Sequence, residues 1–127
     1  MQLGNADLNN LNIEVVHRGK VQLDASWHSK NAKGYFTRLY YVKSGNGYLR
    51  DGDAMIPLQP GNIYLIPSEY DFGFGCTELE KIFFHILLPA GEMTDILKEI
   101  GRILVLPNEG ECIDQLYEAY GKEDIRS

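Results

Sequence analysis

Between residues 35 and 67 the chain alternates short apolar runs with turn signals. Tyr35-Phe36-Thr37-Arg38-Leu39-Tyr40-Tyr41-Val42 is followed by Lys43-Ser44-Gly45-Asn46-Gly47, Tyr48-Leu49-Arg50 and Asp51-Gly52. Ala54-Met55-Ile56-Pro57-Leu58, Pro60-Gly61 and Asn62-Ile63-Tyr64-Leu65-Ile66-Pro67 complete the stretch. Runs this short, rich in aromatic and branched residues, predict strands. Four strands and three turns follow from the pattern. Asp51-Gly52 predicts a two-residue hairpin turn with positive φ at both central residues. Pro60-Gly61 predicts a type II turn, proline setting the first central φ and glycine taking the positive second one. Strands so close in sequence pair antiparallel, because a parallel crossover needs a longer connection. Such a meander buries one face by curling into a barrel or by taking a second sheet on top.

The flanks extend this pattern. Ile13-Glu14-Val15-Val16-His17 and Val21-Gln22-Leu23-Asp24-Ala25 predict two strands joined by Arg18-Gly19-Lys20. Residues 29–34 read as a polar loop and 68–71 as a turn. Phe72, Phe74 and Cys76 alternate with Gly73, Gly75 and Thr77, a strand whose missing side chains admit a ligand or another backbone. From Lys81 onward both faces are largely apolar. Lys81, Phe83, His85 and Leu87 lie on one face and Ile82, Phe84, Ile86 and Leu88 on the other, which predicts burial on both sides. Ile96, Leu97, Ile100, Ile103 and Leu104 then fall on one helical face. Leu106-Pro107-Asn108 interrupts it. Asn108 with Glu111 resembles a capping box, and Cys112, Ile113, Leu116, Tyr117 and Tyr120 make a second stripe ending at Gly121. The expected organisation is a polar, Asn-rich flexible arm at 1–11, a β-barrel at 12–90 and a helical segment at 91–127.

At 127 residues, with 44% hydrophobic and 11% aromatic residues, the chain suits one domain with a real core. A net charge of −6 argues against nucleic-acid binding by this segment, which normally needs a basic face. The start, Met1-Gln2-Leu3-Gly4-Asn5, has no signal-peptide pattern. The longest apolar run, 82–90, is broken by His85 and Pro89 and is too short to cross a bilayer. Cys76 and Cys112 show no motif and read as reduced thiols, so the expected location is cytoplasmic, with no membrane partner.

Catalytic and metal signals are sparse. His17, His28 and His85 lack ligand spacing, and there is no Gly-x-Ser-x-Gly elbow, phosphate loop or nearby Cys–His pair. No metal, cofactor or catalytic residue is predicted. Glu14, Asp24, Glu69, Asp71, Glu78 and Glu80 read as solvated carboxylates. Alternation does suggest a pocket. If Arg38 points inward with Tyr40 and Val42, the barrel holds a charge in need of a partner. A bound carboxylate or sugar hydroxyls would supply one. Phe83, Phe74 and Trp27 offer flat apolar faces, and Arg38, Lys81, His28 and His85 offer hydrogen bonds, the mixture small-molecule pockets use. Plainer readings exist for each. Arg38 can face solvent, His85 can be a satisfied core histidine, and Lys81 can snorkel. Phe72, Phe74 and Phe83 can be core, Trp27 can plug the barrel end, and the tyrosines fit strand propensity.

The order of Gly45-Asn46-Gly47, Pro60-Gly61-Asn62 and Ile66-Pro67 resembles a cupin. In that resemblance the metal ligands of cupins fall at Ala32, Gly34, Arg38 and Phe72, which implies a barrel without its metal. A closer resemblance, over residues 27–127, is to the N-terminal effector-binding domain of AraC-type transcription regulators. It is carried by Gly34-Tyr35, Tyr41-Val42-Lys43-Ser44-Gly45-Asn46-Gly47, Leu58-Gln59-Pro60-Gly61-Asn62-Ile63-Tyr64-Leu65-Ile66-Pro67 and Lys81-Ile82-Phe83-Phe84-His85-Ile86, with Asn62 where Asp is usual. The resemblance implies a mainly β fold: a cupin-like antiparallel β-barrel, or double-stranded β-helix, followed by two C-terminal α-helices. It implies a small polar ligand such as a sugar inside the barrel and a homodimer formed through the helices. DNA would be bound only by a separate C-terminal helix-turn-helix domain, and the chain would be part of a polypeptide more than twice its length. Carried over by position, the ligand contacts are His28, Phe74, Lys81 and Phe83, with His85 next on that face. With the alternation argument the candidate ligand-binding set is Trp27, His28, Arg38, Tyr40, Phe72, Phe74, Lys81, Phe83 and His85. The alternatives are a small metal-independent cupin enzyme, an isomerase, epimerase or lyase on a sugar or keto acid with His28 or His85 as acid/base, and a barrel that only stores a ligand.

Overall fold

A computed structural model of the chain describes residues 14–87 and 101–107, together with Gln115. The strands are β1 (Glu14–Asp24), β2 (His28–Ala32), β3 (Thr37–Asp51), β4 (Ala54–Leu58), β5 (Ile63–Ile66), β6 (Phe72–Leu87) and β7 (Leu104–Leu106). They form one 7-stranded antiparallel system. Its spine is the β3–β6 pair, which runs from Thr37 opposite Ile86 to Arg50 opposite Gly73. Both strands change neighbours along their length. The first part of β3 and the last part of β6 are flanked by β5, then β7, on one side and by β1 on the other. The last part of β3 and the first part of β6 are flanked by β4 and β2. Side chains of both leaves meet in one core of Tyr40, Val42, Leu49, Leu58, Tyr64, Ile66, Phe72, Leu79 and Ile103. The architecture is therefore mainly β and cupin-like.

Several expected breaks are continuous strand. The segment 43–47 is not a turn. Gly45 lies at φ 104° inside β3, and a Cβ there would run into the backbone carbonyl of Glu78. Only glycine lets the strand bend so close to its neighbour. The ladder steps its register on either side of this point, between Val42 and Ser44 and between Asn46 and Gly47. Arg18-Gly19-Lys20 likewise runs through the middle of β1, and the runs from Phe72 and from Lys81 are one strand, β6. The expected polar loop at 29–34 is mostly β2, an edge strand whose main chain pairs with β6. Main-chain bonds define such a strand, and its polar side chains are tolerated because its edge is wet.

The turns are resolved in detail. The hairpin loop is Gly52-Asp53, closed by the pair Asp51–Ala54, one residue later than expected. Gly52 takes φ 61° and Asp53 has no positive φ, the pattern of a II′ turn with glycine first. The Pro60-Gly61 turn forms as its sequence predicts. Gly61 is at φ 90°, and the Asn62 N–H donates to the Gln59 carbonyl at 3.2 Å. Tyr64 pins it from within: its hydroxyl donates to the Pro57 carbonyl at 2.7 Å and accepts the Gln59 N–H at 2.8 Å.

The two helices expected over 91–127 and the arm at 1–11 lie outside the described residues, Gln115 apart. One part of the first helical stripe is overturned. Ile103 is a core residue, and Leu104–Leu106 is a strand paired with β5. The open edge of β5 offers main-chain partners to a branched segment, and that pairing outweighs a helical spacing.

Candidate functional site

The β3–β6 register decides which side chains look inward. Directly opposed residues of an antiparallel pair share a face. Val42 opposes Lys81, Tyr40 opposes Phe83 and Arg38 opposes His85. β5 adds Tyr64 and Ile66 to this face, and β1 adds His17, Gly19 and Val21. The interior is thus lined by two cations, two histidines and several rings.

Lys81 is 4% exposed. Its Nζ lies 3.3 Å from the centroid of Tyr40, 4.3 Å from that of Trp27 and 5.9 Å from that of Phe83. Trp27 in turn stacks on Phe74 at 4.2 Å. Rings in this arrangement attract an ammonium through their quadrupoles. They do not replace its water, and burial pushes the Lys81 pKa down to about 7. Arg38 pushes it the same way and the Cys76 thiol opposes. Burial also holds the Tyr40 phenol up, to about 12, against a contrary pull from Arg38.

The guanidinium of Arg38 sits 4.8 Å from the Phe36 ring and 5.0 Å from the Phe72 ring. Its Nη1 is buried and, among the described residues, has no hydrogen-bond partner. A buried donor of a charged group left in this state is costly. His85 stacks on Phe36 at 4.2 Å, and its Nδ1 lies 3.2 Å from Nδ1 of His17. Burial lowers the His85 pKa to about 4, helped by Arg38, His17 and Lys81. His85 is therefore neutral at pH 7. His17, His85, Phe83, Val16 and Arg18 line an open cleft of about 440 Å³.

Eight of the expected site residues are gathered here: Trp27, Arg38, Tyr40, Phe72, Phe74, Lys81, Phe83 and His85. His28 is not. It is exposed and opposes Gly75, on the outer face. The outward reading of Arg38 and the snorkelling reading of Lys81 both fail, because strand register turns these side chains into the barrel. Gly73 and Gly75 admit no ligand either. A Cβ on Gly75 would meet the Tyr48 ring at 2.8 Å, and one on Gly73 would meet the Lys30 carbonyl at 3.0 Å. Phe36 and His17 were missed as site residues. Phe36 continues the alternation of Arg38 and Tyr40 and was legible. His17 depends on an irregularity in β1 next to Val15 and was not. Among the described residues no three His, Cys, Asp or Glu side chains converge to hold a metal ion.

No family model and no curated protein matches the chain. Similar solved structures exist. ToxT from Vibrio cholerae superposes with a TM-score of 0.55 at 12% identity, covering 84% of this chain and 47% of ToxT. Unsaturated fatty acid-bound wild-type ToxT from Vibrio cholerae strain SCE256 gives 0.55 at 13% identity, covering 80% and 44%. A cupin-2 domain-containing protein from Shewanella frigidimarina NCIMB 400 gives 0.48 at 16% identity, over 65% of this chain and 91% of that one, a likeness too slight to carry weight. The chain spans less than half the length of the ToxT structures it matches. No helix of the described residues is long and apolar enough to cross a membrane. At these identities the likeness is one of fold: the chain shares a cupin-like barrel with the N-terminal domain of ToxT.

Proposed function

We propose that this chain is the small-molecule-sensing domain of an AraC-type transcription regulator, with its ligand inside the barrel. The observation that carries the reading is the interior itself. A core serving stability alone would hold aliphatic side chains where Arg38 and Lys81 stand, because an unpaired buried charge costs more than it returns. ToxT, an AraC-type regulator, shares the fold. Its fatty acid-bound form is a precedent for a small ligand in a protein of this fold.

Binding would act by population shift, the ligand favouring one arrangement of the arm at 1–11 and the segment at 91–127 over another. Dimerisation through 91–127 and DNA binding by a further domain complete the proposal. The chain's charge of −6 agrees with DNA being handled elsewhere. The domain is not an enzyme in this reading. His85 is held between Phe36 and His17, and His28 is outside the barrel.

A fusion of this chain to a DNA-binding domain that acts only as a dimer tests the proposal. A reporter under that domain is screened against small acids and sugars. At least one compound should change the output, and the response should vanish in Arg38→Met. A screen in which no compound acts, or a response untouched by Arg38→Met and Lys81→Met, removes the sensing role.

A further inference from the structure

The interior also says which ligand it is built for. A sugar needs hydrogen-bond donors and acceptors around its whole rim. The inner face supplies few. The Tyr64 hydroxyl is already spent on Pro57 and Gln59, and His85 faces His17. What remains is concentrated positive charge: the orphaned Nη1 of Arg38 and the buried ammonium of Lys81. Around them the walls are Trp27, Phe36, Phe72, Phe74 and Phe83. Two basic groups that oppose each other's charge in a mostly buried, aromatic interior call for one negative charge on an otherwise apolar body.

Resting on the sensing role proposed above, we infer that the effector is an apolar monocarboxylate, its carboxylate hydrogen-bonded by Arg38 within the field of Lys81 and its apolar body against the aromatic walls. This replaces the sugar that the family resemblance implies. The acid needs no chemistry from the protein. It enters ionised, completes the hydrogen bonding of Arg38 and cancels the repulsion between Arg38 and Lys81. A neutral isostere does neither.

Trp27, the only tryptophan in the chain, stands in the site and reports on it directly. Its fluorescence is followed in the purified chain while 3-phenylpropanoate and decanoate are titrated in, each against its own primary amide, with L-arabinose as the sugar probe. At least one acid should saturate the signal and bind at least about ten-fold more tightly than its amide. Arg38→Met, shown folded by circular dichroism, should erase that preference, and Lys81→Met should reduce it. Amides binding as well as acids would mean the cations are satisfied from within the chain, and would overturn the inference. Saturation by arabinose without either acid overturns it as well, yet leaves the sensing role standing. If no probe changes the signal of the folded chain, the acid inference is lost, and the reporter screen decides the sensing role separately.

Discussion

The two faces of the β3–β6 pair are made by the same two strands and follow opposite rules. The outer face packs Leu39, Ile63, Ile82 and Phe84 into an aliphatic and aromatic cluster, with Tyr41, Leu65, Ile86 and Leu106 around it. The inner face, one residue out of step, carries Arg38, Lys81 and His85 among rings. Burial on the outer face is its own reward, since each apolar side chain removed from water stabilises the fold. Burial on the inner face opposes folding, because a charge loses its hydration. Where a strand departs from the ordinary rule on one face only, the departure marks what that face is for.

The contrast can be broken from either side. The largest expected effect is on the outer face. Phe84→Ala removes a ring that is 1% exposed and should cost about 3–5 kcal/mol in urea unfolding. It should leave the acid preference of the folded fraction unchanged. A loss below about 1 kcal/mol would mean that the outer cluster is not a core.

The inner face should respond with the opposite sign. Lys81→Met removes a buried charge without leaving a void, and should stabilise the unliganded chain by on the order of 2 kcal/mol near pH 6. The folded pKa of Lys81 is about 7, well below its ordinary 10.5. Between those values the unfolded chain holds a proton that the folded one does not, so stability rises with pH across that window. His85, at about 4 against an ordinary 6.5, adds a rise of the same sign between those two values. Melting curves should therefore climb from acid toward alkaline pH in the wild type, and the upper part of the climb should be missing in Lys81→Met. A wild-type melting temperature that falls steadily from about pH 6 to about pH 9 would contradict a buried Lys81 ammonium.

The smallest effect tests the fit between β1 and the inner face. A Cβ on Gly19 would meet Cε1 of Phe83 at 2.7 Å. Gly19→Ala should shift the Phe83 ring toward Lys81 at a cost of roughly 1 kcal/mol or less, because a ring can turn where a backbone cannot. Its signature is a change in acid affinity larger than any change in melting temperature. Equal and small changes in both would show that Phe83 does not wall the pocket.

Much of this was legible in the chain. The Pro60-Gly61 turn forms because its φ demands are local. The inward set Arg38, Tyr40, Lys81, Phe83 and His85 follows from a period of two, once the strands are granted. The lengths of the strands were not legible. Gly45 and Gly19 look like breaks, and whether a glycine ends a strand or bends it depends on what lies across from it. At Gly45 that is the carbonyl of Glu78, which is distant in sequence. The polar strand β2 and the short β7 exist because a neighbouring edge offers main-chain partners, a fact carried by neither segment's own residues. His28 shows the same limit. Its alignment suggested a contact, and the register of β2 against Gly75 turned it outward.

By itself, then, the sequence determined the strand-rich character, the turn chemistry and the parity of the inner face, because these depend on each residue's own φ preferences and on alternation. The tertiary structure alone decided that β3 and β6 bend as unbroken strands, that His17 joins the site while His28 leaves it, and that Arg38 and Lys81 share one interior. Each of those outcomes depends on which residues far apart in the chain are brought opposite one another.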